Sequence, residues 1–514
     1  MNRSYHPSQI HTLRLRHFSL QINRLSCIFL FFLCVTCSDS QIGERDAWLS
    51  STLIEDHYHL IARSPDLVSG KFLKMVGLNL DGSSKLYPYM RGTLGQMYRD
   101  LAGDYIQVIP SRFASENGIL TQMIGDPHIE NVSSVLDHST GLLGLDWDDF
   151  DSAGYGPWIW DVRRLALSFW VLSYDLGHIE LSPSLITAMS EGYLKGVSRW
   201  STGERLGPKE GDALPKSIRE LFEESRNKAN RHHSIERYTS LFKDEQGRVI
   251  RSLRRGEIRT RIQEGVIRDA VLSLSTSEKV LIDRFVQDLS IQRPKIGKLK
   301  DVVRKFGQGV SSYPLMRFYL LFEGASLSLE DDELWEAKEL ADRPVPPELK
   351  LYPPRQFGAQ GQRVIQARKN LQWIDIERVP YDAAVTWIDV GNASFRAYKI
   401  TDLQQGLNTK DLIQSWQAAT DELSRHAEYE ELLALASLLG ELLASSHCFA
   451  ETMNGLSGGA VISQDLTLGG VQNFSEELRV FAANYGPQIE VDRAYLLALI
   501  NERGPLLGLL SSSR

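Results

Sequence analysis

Two acidic loops joined by a short hairpin constrain this 514-residue chain more than any other feature of its sequence. The first loop is GDPHIEN, Gly125 to Asn131, and the second is DDFD, Asp148 to Asp151. The apolar runs GILTQMIGD and GLLGLDWDDFD read as strands ending in carboxylates, with VLDHSTG as a turn between them. Asp126 stands five residues before Asn131, and Asp149 follows eighteen residues after Asn131. A chain built this way gathers a carboxylate, an amide and a second carboxylate near one end of a hairpin. Phosphoryl transfer asks for such a set: one carboxylate to orient and deprotonate an acceptor hydroxyl, and oxygen ligands to hold magnesium against phosphates. Magnesium is satisfied by a few carboxylate or amide oxygens together with phosphate and water. Asp126 fits the first role, and Asn131 and Asp149 fit the second. His128 belongs to the same catalytic loop, as its brace more than its proton carrier. Taken alone, DWDDFD is an ordinary surface turn. As a calcium loop it fails, because Phe150 and Asp151 occupy positions that need Asp and Gly.

A second constellation lies far along the chain. GQGVSS is a glycine-rich turn between two strand candidates, and Lys338 sits in the next strand, LWEAKEL. Backbone N–H groups can approach phosphates at Gly307 and Gly309 because no Cβ intervenes. Ser311 and Ser312 would add hydroxyl donors, and Lys338 would neutralise nonbridging phosphate oxygens. Most glycine pairs between strands are plain hairpins and most lysines are solvated, so the weight of this set comes from its members standing together. The ligands implied are Mg2+ and ATP or another nucleotide.

The spacing of Asp126 and Asn131 is that of a kinase catalytic loop. DFDSAGYGPWIWD, Asp149 to Asp161, resembles the segment of aminoglycoside phosphotransferases and related small-molecule kinases that runs from the metal-binding Asp to a second Asp twelve residues later. GDPHIEN likewise resembles their GDxHxxN loop, with Ile124 where those kinases often carry a first histidine. A closer resemblance, over about Phe72 to Ile500, is to the bacterial family of domain of unknown function 2252. It rests on FLKMVGLNLDGSSKLYPYMRGTLGQMYRDLA, GDPHIENV, DDFD, GPWIWDVRRLALSF, the GQGVSS turn, EAKEL, QRVIQARK and VFAANYGPQIEVDRAYLL, in that order. That family supplies no established substrate. The resemblance implies an α+β, protein-kinase-like two-lobed fold, with a small sheet lobe and a larger helical lobe. Its parts are circularly permuted, because the glycine turn and Lys338 follow the catalytic loop instead of preceding it. The helix ending ELLASSHCFA, with His447, resembles the one that ordinarily leads into that loop, and Asp161 is expected to hold the loop by accepting backbone N–H bonds. Protein kinases pair the strand lysine with a helix glutamate. The candidate helix, AQGQRVIQARKN, has no acid, which leaves Glu336 or another residue to supply the charge.

The layout expected from these pieces is a leader over 1–40, a helical lobe with the catalytic and metal loops over 41–296, a β-rich nucleotide lobe over 297–411, and helices over 412–514 that complete the helical lobe. Within it, Asp46 to Asp104 reads as helices broken at Gly70, and Arg199 to Arg231 as irregular. The basic stretch Arg248 to Arg261 reads as a solvated helical face, the alternative being an anion held by arginine forks. A net charge of −8 argues against nucleic acid as the main partner. Three of the four cysteines, Cys27, Cys34 and Cys37, crowd the N-terminus, so the body with Cys448 alone has no disulfide framework. The apolar run LSCIFLFFLCVTC has signal-peptide length, with Cys37 as a candidate lipid-anchored residue, so export or membrane anchoring is expected. The alternative is a cytoplasmic protein with a misplaced start. The expected function is Mg-dependent transfer of a phosphoryl group from a nucleotide to a small molecule or other hydroxyl acceptor. A noncatalytic exported pseudokinase is the alternative, and a metal-dependent phosphoesterase a third.

Overall fold

The computed structural model describes residues 26–77, 85–103, 111–113, 119–259, 269–326, 328–341, 359–374 and 385–509. The chain divides into two units, residues 1–48 and 49–514. In the first, the backbone is helical from Ser26, the start of α1 (Ser26–Arg63), and the Arg45 guanidinium lies 4.5 Å from the Trp48 ring centroid. Side chains are described from Glu44 onward, so the apolar leader and Cys37 lie outside the described residues.

The second unit is a mixed α+β fold with, among the described residues, one seven-stranded sheet and three two-stranded ones. Its first helices are α2 (Pro65–Met75), α3 (Tyr87–Gly92) and α4 (Leu94–Leu101). Pro65 starts α2 where a missing N–H costs nothing. The break expected at Gly70 is absent, and α2 runs through it. A Cβ there would come within 2.7 Å of the Tyr313 ring, so the glycine serves close packing rather than a turn.

The acidic loops sit on two antiparallel pairs. β1 (Thr121–Met123) pairs with β4 (Gly154–Gly156), and β2 (Val132–Asp137) pairs with β3 (Leu142–Trp147). The first expected strand therefore does not join the hairpin; it pairs with the residues beyond DDFD. Because Thr121 faces Gly156 and Val132 faces Trp147, the two pairings bring both loops to the same place. Pro157 then leads into α5 (Trp158–Leu176), which ends at Gly177 with φ +76°, the left-handed cap glycine tolerates best. α5 is buried on nearly every side and carries Asp161, Arg163 and Arg164 into the core. α6 (Ser182–Ser201), α7 (Lys216–Asn230) and α8 (His233–Tyr238) follow. α7 occupies ground that reads as irregular in sequence, its narrow apolar face of Ile218, Leu221 and Phe222 being diluted by charge.

Up to Arg259, the last described residue of the basic stretch, it is strand, not helix: β6 (Val249–Leu253), which pairs with β5 (Thr239–Lys243), and β7 (Gly256–Arg259). Among its arginines, Arg248 pairs with Asp244 at 2.8 Å and Arg255 with Asp301 at 2.6 Å. β8 (Asp269–Leu272), the capped helix α9 (Thr276–Gln292), β9 (Leu299–Phe306), β10 (Arg317–Phe322), β11 (Glu333–Leu340), α10 (Gln360–Leu371), β12 (Thr386–Val390) and β13 (Ala393–Lys399) complete this region. The large sheet runs β12-β13-β11-β10-β9-β8-β7 and is antiparallel throughout. It thus begins at Gly256, well before the boundary expected at 297, because β7 and β8 extend its far edge. One face packs Phe318, Leu320, Trp335 and Phe395 under Ile282, Phe285 and Leu289 of α9. The opposite face carries Leu334, Glu336 and Lys338 by strand alternation.

The C-terminal helices are α11 (Thr409–Ala418), α12 (Glu422–Phe449), α13 (Gly458–Gly469) and α14 (Phe474–Arg503). α12 has the length and apolarity of a membrane span, but 72% of its most apolar window is buried inside the protein, so it is a core helix. A Cβ at Gly440 would lie 1.9 Å from the Met189 carbonyl, which shows how closely α12 crosses α6.

Candidate active site

The GDPHIEN loop is held from beneath by a buried network. Asp161, in the first turn of α5, accepts the backbone N–H of Ile124 at 2.7 Å and of Gly125 at 3.1 Å. His447, near the end of α12, places Nε2 3.1 Å from the same carboxylate, and its Nδ1 lies 3.0 Å from the Tyr193 hydroxyl. Asp161 and His447 are fully buried, so this arrangement sees no water. Ile124, which carries no polar side chain, takes part in this anchoring through its backbone N–H. Gly125 adopts φ +92°, and a Cβ there would fall 2.0 Å from the Ser152 carbonyl oxygen, so only glycine lets the two loops touch.

Asp126 points one oxygen at Arg164, whose Nε donates at 2.7 Å while Nη2 donates to the Met90 carbonyl at 2.8 Å. Burial pushes the Asp126 carboxyl up, and Arg164 and Arg91 only partly offset this. His128 is buried, with Nε2 3.8 Å from Asp126, too far for a hydrogen bond. Its imidazole is held well below its usual range by burial and by Arg91 and Arg164, so it is a neutral brace beside the Tyr87 hydroxyl. Asn131 Nδ2 donates to the Asp126 carbonyl at 2.7 Å, which leaves Oδ1 as an acceptor. The Asp148 N–H donates to the Asn131 carbonyl at 3.1 Å and ties the second loop to the first.

In that second loop, Asp149 Oδ1 accepts the Asp151 N–H at 3.2 Å, and the Asp149 side chain is about a third exposed. Burial pushes the Asp148 carboxyl up to about 6, with Asp149 adding to the effect. Lys338 reaches across from β11. Its amine is 3.9 Å from Asp149 and in direct contact with Asp151. Burial alone would raise the Asp151 carboxyl, but Lys338, Arg396 and Arg363 overcome it and hold it well below the carboxylate range. The carboxylate in contact with Lys338 thus comes from the acidic loop, and α10 has no acid to offer it. Glu336, the other acid considered for that place, instead pairs with Arg317 at 2.7 Å and accepts the Tyr398 hydroxyl at 2.7 Å. α10 contributes an arginine in place of an acid: Arg363 donates to the carbonyls of Ala153 at 2.6 Å and Asp151 at 2.8 Å.

Strand register completes the site. Lys338 lies opposite Arg317 on β10 and opposite Arg396 on β13, so three cations stand side by side on one sheet face. Like charges directly opposite are destabilising in a sheet, and here Glu336 and Asp151 compensate. Arg396 is buried, and among the described residues its Nε has no hydrogen-bond partner. These residues, with Asp126, His128, Asn131, Asp148 and Asp149, line a cavity of about 250 Å³. Of the glycine turn, Gly309, Ser311 and Ser312 line it and Gly307 does not. Gly307 and Gly309 both have positive φ, and Lys74 of α2 donates to their carbonyls at 3.1 and 2.6 Å. Ser311 gives its proton to the Arg91 carbonyl at 2.6 Å.

Sequence inspection missed Asp151, Arg317, Arg363, Arg396 and Arg164. Arg317 and Arg396 share the strand parity of Lys338, but that signal is usable only once the register is known. Among the described residues, no group of three or more His, Cys, Asp or Glu side chains is arranged to hold a metal ion. The oxygen donors lining the cavity include the Asn131 amide and the carboxylates of Asp126, Asp148, Asp149 and Asp151; an amide and a carboxylate such as Asn131 and Asp149 are hard donors of the kind magnesium accepts when phosphate and water fill the rest.

No curated protein and no solved structure matches the chain. A family model described as an uncharacterized protein conserved in bacteria (DUF2252) matches residues 63–498. That span covers most of the chain, including every residue of the cavity, and the protein therefore belongs to the DUF2252 family.

Proposed function

We propose that this protein is a kinase-like phosphotransferase that moves a phosphoryl group from a nucleotide to a hydroxyl acceptor. The observation that carries the reading is the polarity of the cavity. Asp126, Asn131, Asp148 and Asp149 form one side, and the registered row of Arg317, Lys338 and Arg396 forms the other. A nucleotide phosphate chain with its magnesium is itself bipolar, and a buried Arg396 Nε without a protein acceptor suits an anionic oxygen. Asn131 Oδ1 and Asp149 would hold the metal, which would neutralise charge on the phosphates. Arg317, Lys338 and Arg396 would bind nonbridging oxygens, with Lys338 exchanging Asp151 for phosphate. Asp126 would orient the acceptor hydroxyl and take its proton. The kinase-like, circularly permuted architecture belongs to the same proposal. Residues 297–411 supply the glycine turn and lysine, and the His447 end of α12 braces the catalytic loop that ordinarily follows such a helix.

The noncatalytic alternative has support of its own. Asp126 is already paired with Arg164 at 2.7 Å, and Lys338 is already closed on Asp151. Nucleotide binding, measured as a rise in unfolding midpoint with and without magnesium, tests the shared part of both readings, and ATP turnover separates them. Asp149→Asn should weaken magnesium-dependent nucleotide binding by roughly tenfold or more while leaving metal-free binding unchanged. Superimposable magnesium titrations of wild type and this variant would remove Asp149 from the metal site.

A further inference from the structure

A second cavity, of about 340 Å³, adjoins the first and shares Asp151, Ser152, Ser311 and Ser312 with it. Most of the rest of its wall comes from α1, α2 and α4, none of which the phosphotransfer reading uses. Two mostly buried polar side chains in this wall lack a protein partner among the described residues. Lys71 is 6% exposed, yet among the described residues its amine has no hydrogen bond and no carboxylate within 4 Å. Asp56, the acid that acts on it electrostatically, is committed to Arg99 by two hydrogen bonds of 2.6 and 2.8 Å. Gln96 is 4% exposed, and its amide nitrogen has no partner. His57 stands beside them, with Nδ1 2.8 Å from the Leu53 carbonyl; donating there leaves Nε2 as an acceptor. Leu60, Leu94 and Leu315 supply apolar wall.

An unpaired ammonium is among the most costly groups to keep out of water. Here it pulls the Lys71 amine down to about 8, burial being the main cause and Asp56 restoring part. The cost disappears when an anion enters the cavity, and the free amide of Gln96 offers that anion a second donor.

We propose that this cavity binds an anionic small molecule, a carboxylate or a phosphate monoester, with Lys71 as its charge partner and Gln96 as its hydrogen-bond donor. The ligand would lie against Ser152 and Ser311, at the edge of the first cavity. The site does not depend on the phosphotransfer reading, since none of its anion-binding groups belongs to that cavity.

The test is calorimetric binding of two probes, inorganic phosphate and succinate, to the full chain. Wild type, Lys71→Met, Lys71→Arg, Gln96→Leu and Lys338→Met are compared. The expected result is saturable binding of at least one probe to wild type, still present in Lys338→Met. Lys71→Met should bind roughly tenfold or more weakly, and Lys71→Arg should recover most of the loss. The tighter probe identifies the ligand class as phosphate ester or carboxylate. Binding lost in Lys338→Met but kept in Lys71→Met would place the anion in the first cavity and overturn the proposal. So would equal affinities in wild type and Lys71→Met, or no binding of either probe. Should Lys71→Met fail to fold, Gln96→Leu decides, because unchanged affinity there removes the second donor and the site with it.

Discussion

Asp126→Asn is expected to abolish phosphoryl transfer while leaving nucleotide affinity in place. The substitution keeps an oxygen of the same size within reach of Arg164 Nε, which now donates at 2.7 Å, but removes the group that accepts a proton from the acceptor. Loss of a general base lowers rates by roughly a hundredfold to ten-thousandfold. Burial raises the proton affinity of Asp126 and Arg164 lowers it, with burial prevailing. Wild-type turnover should therefore fall as pH drops through a value above the ordinary carboxylate range. The variant also leaves Arg164 buried without its countercharge, so a stability loss of about 1–3 kcal/mol accompanies the rate effect. Unfolding and nucleotide titration on the same preparation separate the two. Turnover equal to wild type would exclude Asp126 from the chemistry. No turnover in either protein, with nucleotide bound in both, would favour the noncatalytic reading.

Replacing Asp161 with Ala should produce the largest stability loss in the molecule. Its carboxylate satisfies the N–H groups of Ile124 and Gly125 and the imidazole of His447, all in a region closed to solvent. Removing it orphans buried donors on Ile124, Gly125 and His447 at once, and each buried donor left unsatisfied costs roughly 1–3 kcal/mol. Denaturant unfolding of wild type and variant measures this directly. Asp161→Asn should recover only part, because its amide nitrogen must face groups that are themselves donors. A loss below about 1 kcal/mol would mean that the loop is held elsewhere, and the positioning role given to α5 and α12 would fall with it.

The two acidic loops, the helix after Pro157 and the glycine turn were all legible from the chain itself. Each is a local event, decided within a dozen residues by turn chemistry, strand alternation or a cap. Asp161 as the anchor of the loop was also legible, through its distance from Asp149 along a segment with a familiar pattern. Where local composition was mixed, inspection failed. The charged face of α7 hid its apolar stripe, and the arginines of Arg248 to Arg261 hid strands whose charges are met by Asp244 and Asp301.

The residue types and spacings therefore determined which groups were available for chemistry: two acidic loops, a positive-φ glycine turn and a strand lysine. The tertiary structure alone decided who meets whom. Asp151 became the partner of Lys338 because β1 pairs with β4 and swings the second loop toward β11. The cationic row of Arg317, Lys338 and Arg396 exists only in one register of three antiparallel strands, and a shift of one residue would turn the row's arginines to the opposite face. Lys71 lies in a helix that carries no mark of function in its sequence, and its lack of a carboxylate within 4 Å among the described residues is a property of packing. Such contacts join residues separated by tens to hundreds of positions, and the free energy that selects them comes from burying whole faces of helix and sheet. No local pattern records it.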